Sequence, residues 1–206
     1  MFALVENQQI TKFYSGNKGV TLGDIQYPRS IFTLWSEAER NAIGIFEVTV
    51  DTTNKKDEQW YINTNISYGV ESNKAVGSYG TATPKELADR NETNNDGSPM
   101  LDADGNQIVT KGLKSQKKDI IKQQAAGILQ NTDWYITRKA DAGTAVPSAV
   151  TTHRAAVRTK SNEMETSIDN ASDVDALATL YEYVNTGTEE NPVMERPLGE
   201  FPTLEI

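Results

Sequence analysis

The 206-residue chain contains no cysteine and a single histidine, His153. No disulfide framework, thiolate metal site or cysteine nucleophile can therefore form. One imidazole is left for acid–base chemistry near neutral pH. A general base needs an orienting partner and a nucleophile within hydrogen-bond reach. His153 stands between Thr152 and Arg154 with no acidic residue within four positions, so it reads as a satisfied interface histidine. The run Asp102-Ala103-Asp104-Gly105-Asn106 suggests a calcium loop, but an EF-hand places Gly at position 6 and Glu at position 12. Here Gly is fourth and the twelfth position is Leu113, so a turn at Asp104-Gly105 is expected. Gly16-Asn17-Lys18-Gly19 and Gly77-Ser78-Tyr79-Gly80 lack the Lys-Ser/Thr of a phosphate loop and read as turns. Glu189-Glu190 read as solvated charge, because a glycosidase pair needs a rigid cleft holding two carboxyls ~5–10 Å apart. No catalytic residue, metal or cofactor is expected, and hence no enzyme.

Contact chemistry is better supplied. The segment from Ile128 and Leu129 through Asn131-Thr132-Asp133 brings Trp134 and Tyr135, with Arg138 four residues after the tryptophan. Trp, Tyr and Arg anchor interfaces because each joins a large contact area to a polar handle. Trp134 has two readings at this level: packing within its own helical hairpin, or packing between subunits. Trp60, Tyr61 and Tyr68 form a second aromatic group, one that would stack on sugar rings if exposed.

Charge alternates along the chain. Residues 1–110 carry net −6, residues 111–160 net +7 and residues 161–206 net −10, which sums to −9. A basic stretch can displace counterions from nucleic-acid phosphates. The stronger acidic stretch that follows would repel the same polyanion, so pairing with acidic surface of this or a neighbouring chain is expected, and no nucleic acid. The opening MFALVENQQI has neither a basic n-region nor an apolar h-region, so no secretory leader is expected there. No apolar run approaches the ~20 residues that span a bilayer, and no membrane insertion is expected.

The elements that must position these residues differ between the two halves. Residues 44–51 and 59–68 are dense in β-branched and aromatic side chains and, with the polar stretch between them, read as a hairpin. Ser36 and Glu39 match a capping box that opens a short helix, and Gly44 suits its end. Strand-like pieces at 2–5, 10–14 and 76–83 complete a small antiparallel domain over residues 1–90. Residues 91–112 read as a linker holding a small hairpin. From Leu113 the apolar period becomes helical, through Ile120, Ile121, Ala125, Ile128 and Leu129. A second helix begins near Pro147 and carries Val150, His153, Val157, Ser161, Met164 and Ile168 at steps of three and four. A third is expected from Ser172, through Leu177 and Leu180. The fold class is thus α+β: the β domain, a helical hairpin or three-helix unit over 113–184, and an extended acidic tail over 185–206. Only 37% of residues are apolar, below the ~45–50% of ordinary globular chains, so burial between subunits is expected to supply stability.

The run Ile128, Thr132-Asp133-Trp134, Arg138-Lys139, Gly143, Val146-Pro147, Arg154 and Val157-Arg158 resembles a C-terminal module of tailed-bacteriophage tail-fibre assembly and tail-fibre-associated proteins. In that module a helix ends in Leu-x-x-Thr-Asp-Trp, a Gly/Pro loop follows, and a helix carries Tyr/His-Arg-x-x-Leu/Val-Arg. Tyr27-Pro28, Ile31-Phe32, Trp35-Ser36, Glu39, residues 42–45 and Val48 are similar to segments that precede it. Where such chains often end in Trp-Pro, this one has Phe201-Pro202 after a longer acidic stretch. The resemblance implies a non-catalytic structural protein of the virion, in the tail, baseplate or fibre-attachment region, made in the host cytoplasm. Its expected partners are other tail and fibre proteins and further copies of itself, a trimer first. Ile128, Leu129, Trp134, Tyr135, Arg138, Arg154, Val157 and Arg158 are the expected interface. The alternatives are a tail-fibre assembly chaperone and a receptor- or glycan-binding module built on Trp60, Tyr61 and Tyr68.

Overall fold

The computed structural model describes residues 1–205. The chain divides into two compact units, Met1–Thr83 and a second from Pro84 onward. The α+β class is as expected.

The first unit contains β1 (Phe2–Glu6), β2 (Gln9–Tyr14), β3 (Val20–Leu22), β4 (Ile25–Tyr27), a 3-10 turn over Arg29–Phe32, and α1 (Glu37–Ala42). Then come β5 (Ile45–Asp51), β6 (Tyr61–Ile62), β7 (Ser67–Glu71) and β8 (Lys74–Ser78), with β9 (Thr83–Pro84) at the boundary. Five strands form one sheet in the order β2-β1-β5-β8-β7. All its pairings are antiparallel except β5 with β8, which run parallel with Val48 opposite Ala75. The hairpin expected between 44–51 and 59–68 does not form. The tight turn lies instead at Ser72-Asn73, whose φ values of +50° and +60° suit the left-handed pair of residues that joins twisted strands. β7 and β8 flank that turn, and β8 then takes the place beside β5. Gly77 and Ser78 are therefore strand residues, not a turn.

The core of this unit gathers Val20, Ile31, Phe32 and Ile45, ringed by Phe2, Leu4, Tyr14 and Trp35. Burying each such side chain contributes ~1.5–3 kcal/mol. The Ser36–Glu39 capping box is present, and α1 ends at Gly44 with φ +80°. At the two outer strands the Phe13 ring meets Tyr68 edge-on at 4.9 Å, so the sheet curls until its edges touch through side chains.

The second unit holds β10 (Arg90–Asn91), β11 (Val109–Thr110), α2 (Leu113–Gln130), α3 (Asp133–Ala142), α4 (Ser148–Asn170), α5 (Val174–Thr179), β12 (Val184–Asn185) and β13 (Met194–Glu195). Residues 91–109 form two successive turns, at Gly97 and Gly105 (both φ +82°), closed by the bridges Thr93–Pro99 and Leu101–Gln107, and the expected hairpin is the second. The Asp102 carboxylate accepts the Asp104 and Asn106 N–H groups, which spends it within its own turn. α2 packs on α4. The buried face of α4 is Val150, His153, Arg154, Val157, Ser161, Met164 and Ile168, the predicted stripe with Arg154 added. α5 is capped by Asp173, which accepts the Ala176 N–H, and not by Ser172.

Of the stretch 185–206, expected as an extended tail, residues 185–198 carry a strand pair and a turn, and residues 199–205 carry no regular element. β12 pairs with β13, and Leu198 is 2% exposed, its N–H donating to the Leu180 carbonyl. Arg196 binds Glu200 at 2.8 Å and lies 5.6 Å from the Tyr183 ring centre. An apolar side chain spaced to reach the helices returns the tail to its own unit. Among the described residues, no helix is long and apolar enough to cross a membrane.

Candidate interface

Arg154 organises the second unit. It is only 9% exposed, and its Nη1 donates to the Leu129 carbonyl (2.7 Å) and the Thr132 hydroxyl (2.6 Å) while pairing with Asp133 (2.9 Å). The Thr132 hydroxyl in turn donates to the Leu129 carbonyl. A cation at the carbonyl end of α2 meets the negative end of the helix dipole, and the same guanidinium holds the acidic first residue of α3. Thr132, Asp133 and Arg154 are thus one clamp at the α2–α3 joint. Arg158, exposed, donates back to the Arg154 carbonyl. Val157 is fully buried in the α2–α4 seam. Neither Arg154 nor Val157 is available to a partner.

What the clamp positions is α3, a helix not expected from the sequence. Its apolar residues Trp134, Tyr135 and Ile136 are consecutive and make no stripe at helical spacing, so the periodicity that reveals a packed helix is lacking. Asp133 sits in its first turn, Lys139 in its last, and Gly143 closes it at φ +69° with its N–H on the Lys139 carbonyl. None of its ten residues is buried. Trp134, 50% exposed, stacks on Tyr135 with ring centres 3.8 Å apart. The Arg138 guanidinium lies 4.6 Å from the Trp134 ring centre and 5.7 Å from that of Tyr135. An exposed cation–π contact of this kind contributes ~0.5–1 kcal/mol. It holds three large side chains in one arrangement.

No family model, curated protein or solved structure matches the chain. The basic block pairs inside the second unit: Lys118 with Asp169 at 2.8 Å, Lys122 with Glu165 at 3.4 Å, and Lys114 Nζ on the Asp169 carbonyl. α2 and the C-terminal half of α4 thus neutralise each other, as the charge alternation suggested for pairing within one chain. Arg138 remains exposed on α3 beside Trp134 and Tyr135.

The other aromatic group is not exposed as a set: Tyr68 is exposed and Trp60 is not. Trp60 is 6% exposed, so its face is closed to a ligand. Tyr61 is half-buried, with Lys56 Nζ 5.5 Å over its ring. Tyr68 packs over Gly77, its cross-strand partner.

His153 also departs from expectation. It is 8% exposed, and its buried Nδ1 has no hydrogen-bond partner. It lines a cavity of about 290 Å³ together with Ile128 and Asn131 of the α2 end, and with Phe201, Pro202 and Leu204. Leaving a polar atom buried and unpaired costs ~1–3 kcal/mol. The sequence signal was present in the position of His153 on the apolar stripe; the partnerless nitrogen and the return of the tail were not visible there.

Proposed function

We propose that this chain is a non-catalytic structural component of a tailed-phage virion, placed in the tail, baseplate or fibre-attachment region and working by docking of its helical unit. The observation that carries the docking role is α3: a helix with no buried residue, fixed at its start by Arg154, displaying Trp134, Tyr135 and Arg138 as one stacked group. These residue types dominate the energetics of interface centres. Prearranged side chains lose less freedom on binding. The phage setting rests on the residue pattern from Ile128 to Arg158, whose Thr132, Asp133 and Arg154 form the clamp.

Sedimentation of the purified chain and mass spectrometry of purified particles test this together. An oligomer that dissociates in Trp134→Ala, and a chain retained in particles, support the reading. A chain bound to fibre protein yet absent from finished particles would instead indicate an assembly chaperone. A monomer at all concentrations that is absent from particles overturns both.

A further inference from the structure

We infer that the partner received by α3 is a second copy of this chain, which presents the β12–β13 hairpin, residues 184–195. The inference rests on the docking role of α3 proposed above and adds its occupant. Both elements stand uncovered: α3 has no buried residue, and neither does either strand of the hairpin. A two-stranded hairpin is marginal in water by itself, and so is a helix of ten residues. The hairpin nonetheless leaves Val184, Val193 and Met194 each about half exposed, as α3 leaves Trp134 and Ile136. Apolar side chains shown to solvent beside charged ones have the make-up of a contact surface.

Charge selects the occupant. Residues 184–195 contain three carboxylates and no lysine or arginine. The Thr188 N–H donates to the Asn191 carbonyl, which places Glu189 and Glu190 at the tip. Both are exposed and, among the described residues, neither meets a cation. On α3 the sign is opposite. Asp133 is held by Arg154, which leaves Arg138 and Lys139 against Asp141. Arg138 rests on the Trp134 and Tyr135 rings, and among the described residues its N–H donors meet no acceptor. A guanidinium in that state is a receptor for a carboxylate. No hydrogen bond or ion pair among the described residues joins α3 to the hairpin, so each charge is left for another chain. The two surfaces differ, and the contact is therefore head-to-tail, closing a ring or extending as a filament.

Two variants of the full-length chain test the two sides separately. Arg138→Glu with Lys139→Glu reverses the charge of α3, and Glu189→Lys with Glu190→Lys reverses that of the hairpin. All four side chains are exposed, so both variants are expected to melt with the native chain. In sedimentation each is expected to self-associate about tenfold more weakly, because like charges then face each other. Mixed in equal amounts, the two are expected to form a dimer that grows no further. Only the intact hairpin of the first and the intact α3 of the second can join. Native assembly is also expected to weaken between ~0.1 M and ~1 M salt, over which the screening length falls from ~10 Å to ~3 Å. Assembly that Trp134→Ala abolishes but the hairpin reversal leaves intact overturns this inference and keeps α3 as the docking surface for another protein. No dimer in the mixture, salt-independent assembly, or a native chain that is monomeric at all concentrations also overturns it.

Discussion

Arg154 and Thr132, 22 positions apart in the chain, meet at 2.6 Å through a hydrogen bond from guanidinium to hydroxyl in the buried joint of three helices. That contact ties the Thr132-Asp133 pair to an arginine on another helix. The threonine lies just past the end of α2, the aspartate opens α3, and the arginine ties both to α4.

Arg154→Ala is expected to destabilise the second unit by ~2–3 kcal/mol, since hydrogen bonds to a charged group contribute ~1.5–3 kcal/mol and the exposed Asp133 recovers hydration. Arg154→Lys should recover less than half, because a compact, strongly hydrated ammonium is costlier to bury than a guanidinium. Urea unfolding followed by helical circular dichroism measures both. A lysine variant as stable as the native chain would show that charge alone holds the joint.

Trp134→Ala should leave folding nearly intact, within ~1 kcal/mol, because half of the side chain faces solvent and exposed substitutions rarely cost more. Self-association is expected to fall sharply in the same variant. Melting and sedimentation on one preparation separate the two effects. A large drop in melting temperature would place Trp134 in the core instead.

Tyr68 and Gly77 are opposed across β7 and β8. A Cβ on Gly77 would lie 2.7 Å from the Tyr68 ring and 2.9 Å from Ile66. Gly77→Ala should therefore destabilise the sheet by ~1–3 kcal/mol, the usual range for overpacking. Adding Tyr68→Ala should relieve only part of that, because the Ile66 contact remains. A double-mutant cycle on unfolding free energies gives the coupling, and strict additivity would contradict the packing.

Acid should loosen the helical unit by uncapping two helices. The Asp89 carboxyl is held below the ordinary aspartate value by the Gly112 N–H and then by the Ser115 hydroxyl. That of Asp173 is held down by the Ala176 N–H and then by the Ser172 hydroxyl. A carboxyl that binds its proton less tightly in the folded state stabilises the fold above its unfolded value, and the contribution is lost as pH falls through the folded value. Stability should thus decline below about pH 4. Asp89→Asn should be less stable at pH 7 and show a flatter decline in urea unfolding at pH 7 and pH 3.

Much of the helical unit was legible from residue spacing. Val150, His153, Val157, Ser161, Met164 and Ile168 mark the buried face of α4 because a helix facing a core must repeat its apolar positions every three or four residues. The Ser36–Glu39 box and the turn at Gly105 were equally readable, since both are local chemistry. α3 escaped because its start is set by Arg154 from another helix, and its aromatics face outward, where no period is imposed. The start of α2 at Leu113 was legible in the change of period, but the groups that receive its first N–H donors were not. Gly112 has no capping side chain, and the first N–H groups are received by Asp89, Glu86 and Leu87. The Ala88 carbonyl lies so close that any Cβ on Gly112 would collide with it.

The amino-acid order by itself settled the class of fold, the charge blocks and the residues whose environment lies within a turn or two of chain. Strand partners, the arginine clamp, the folded-back tail and the buried, unpaired His153 nitrogen were decided only in three dimensions. Each of these depends on groups distant in sequence, and the energy of such a meeting leaves no periodic trace in either segment alone.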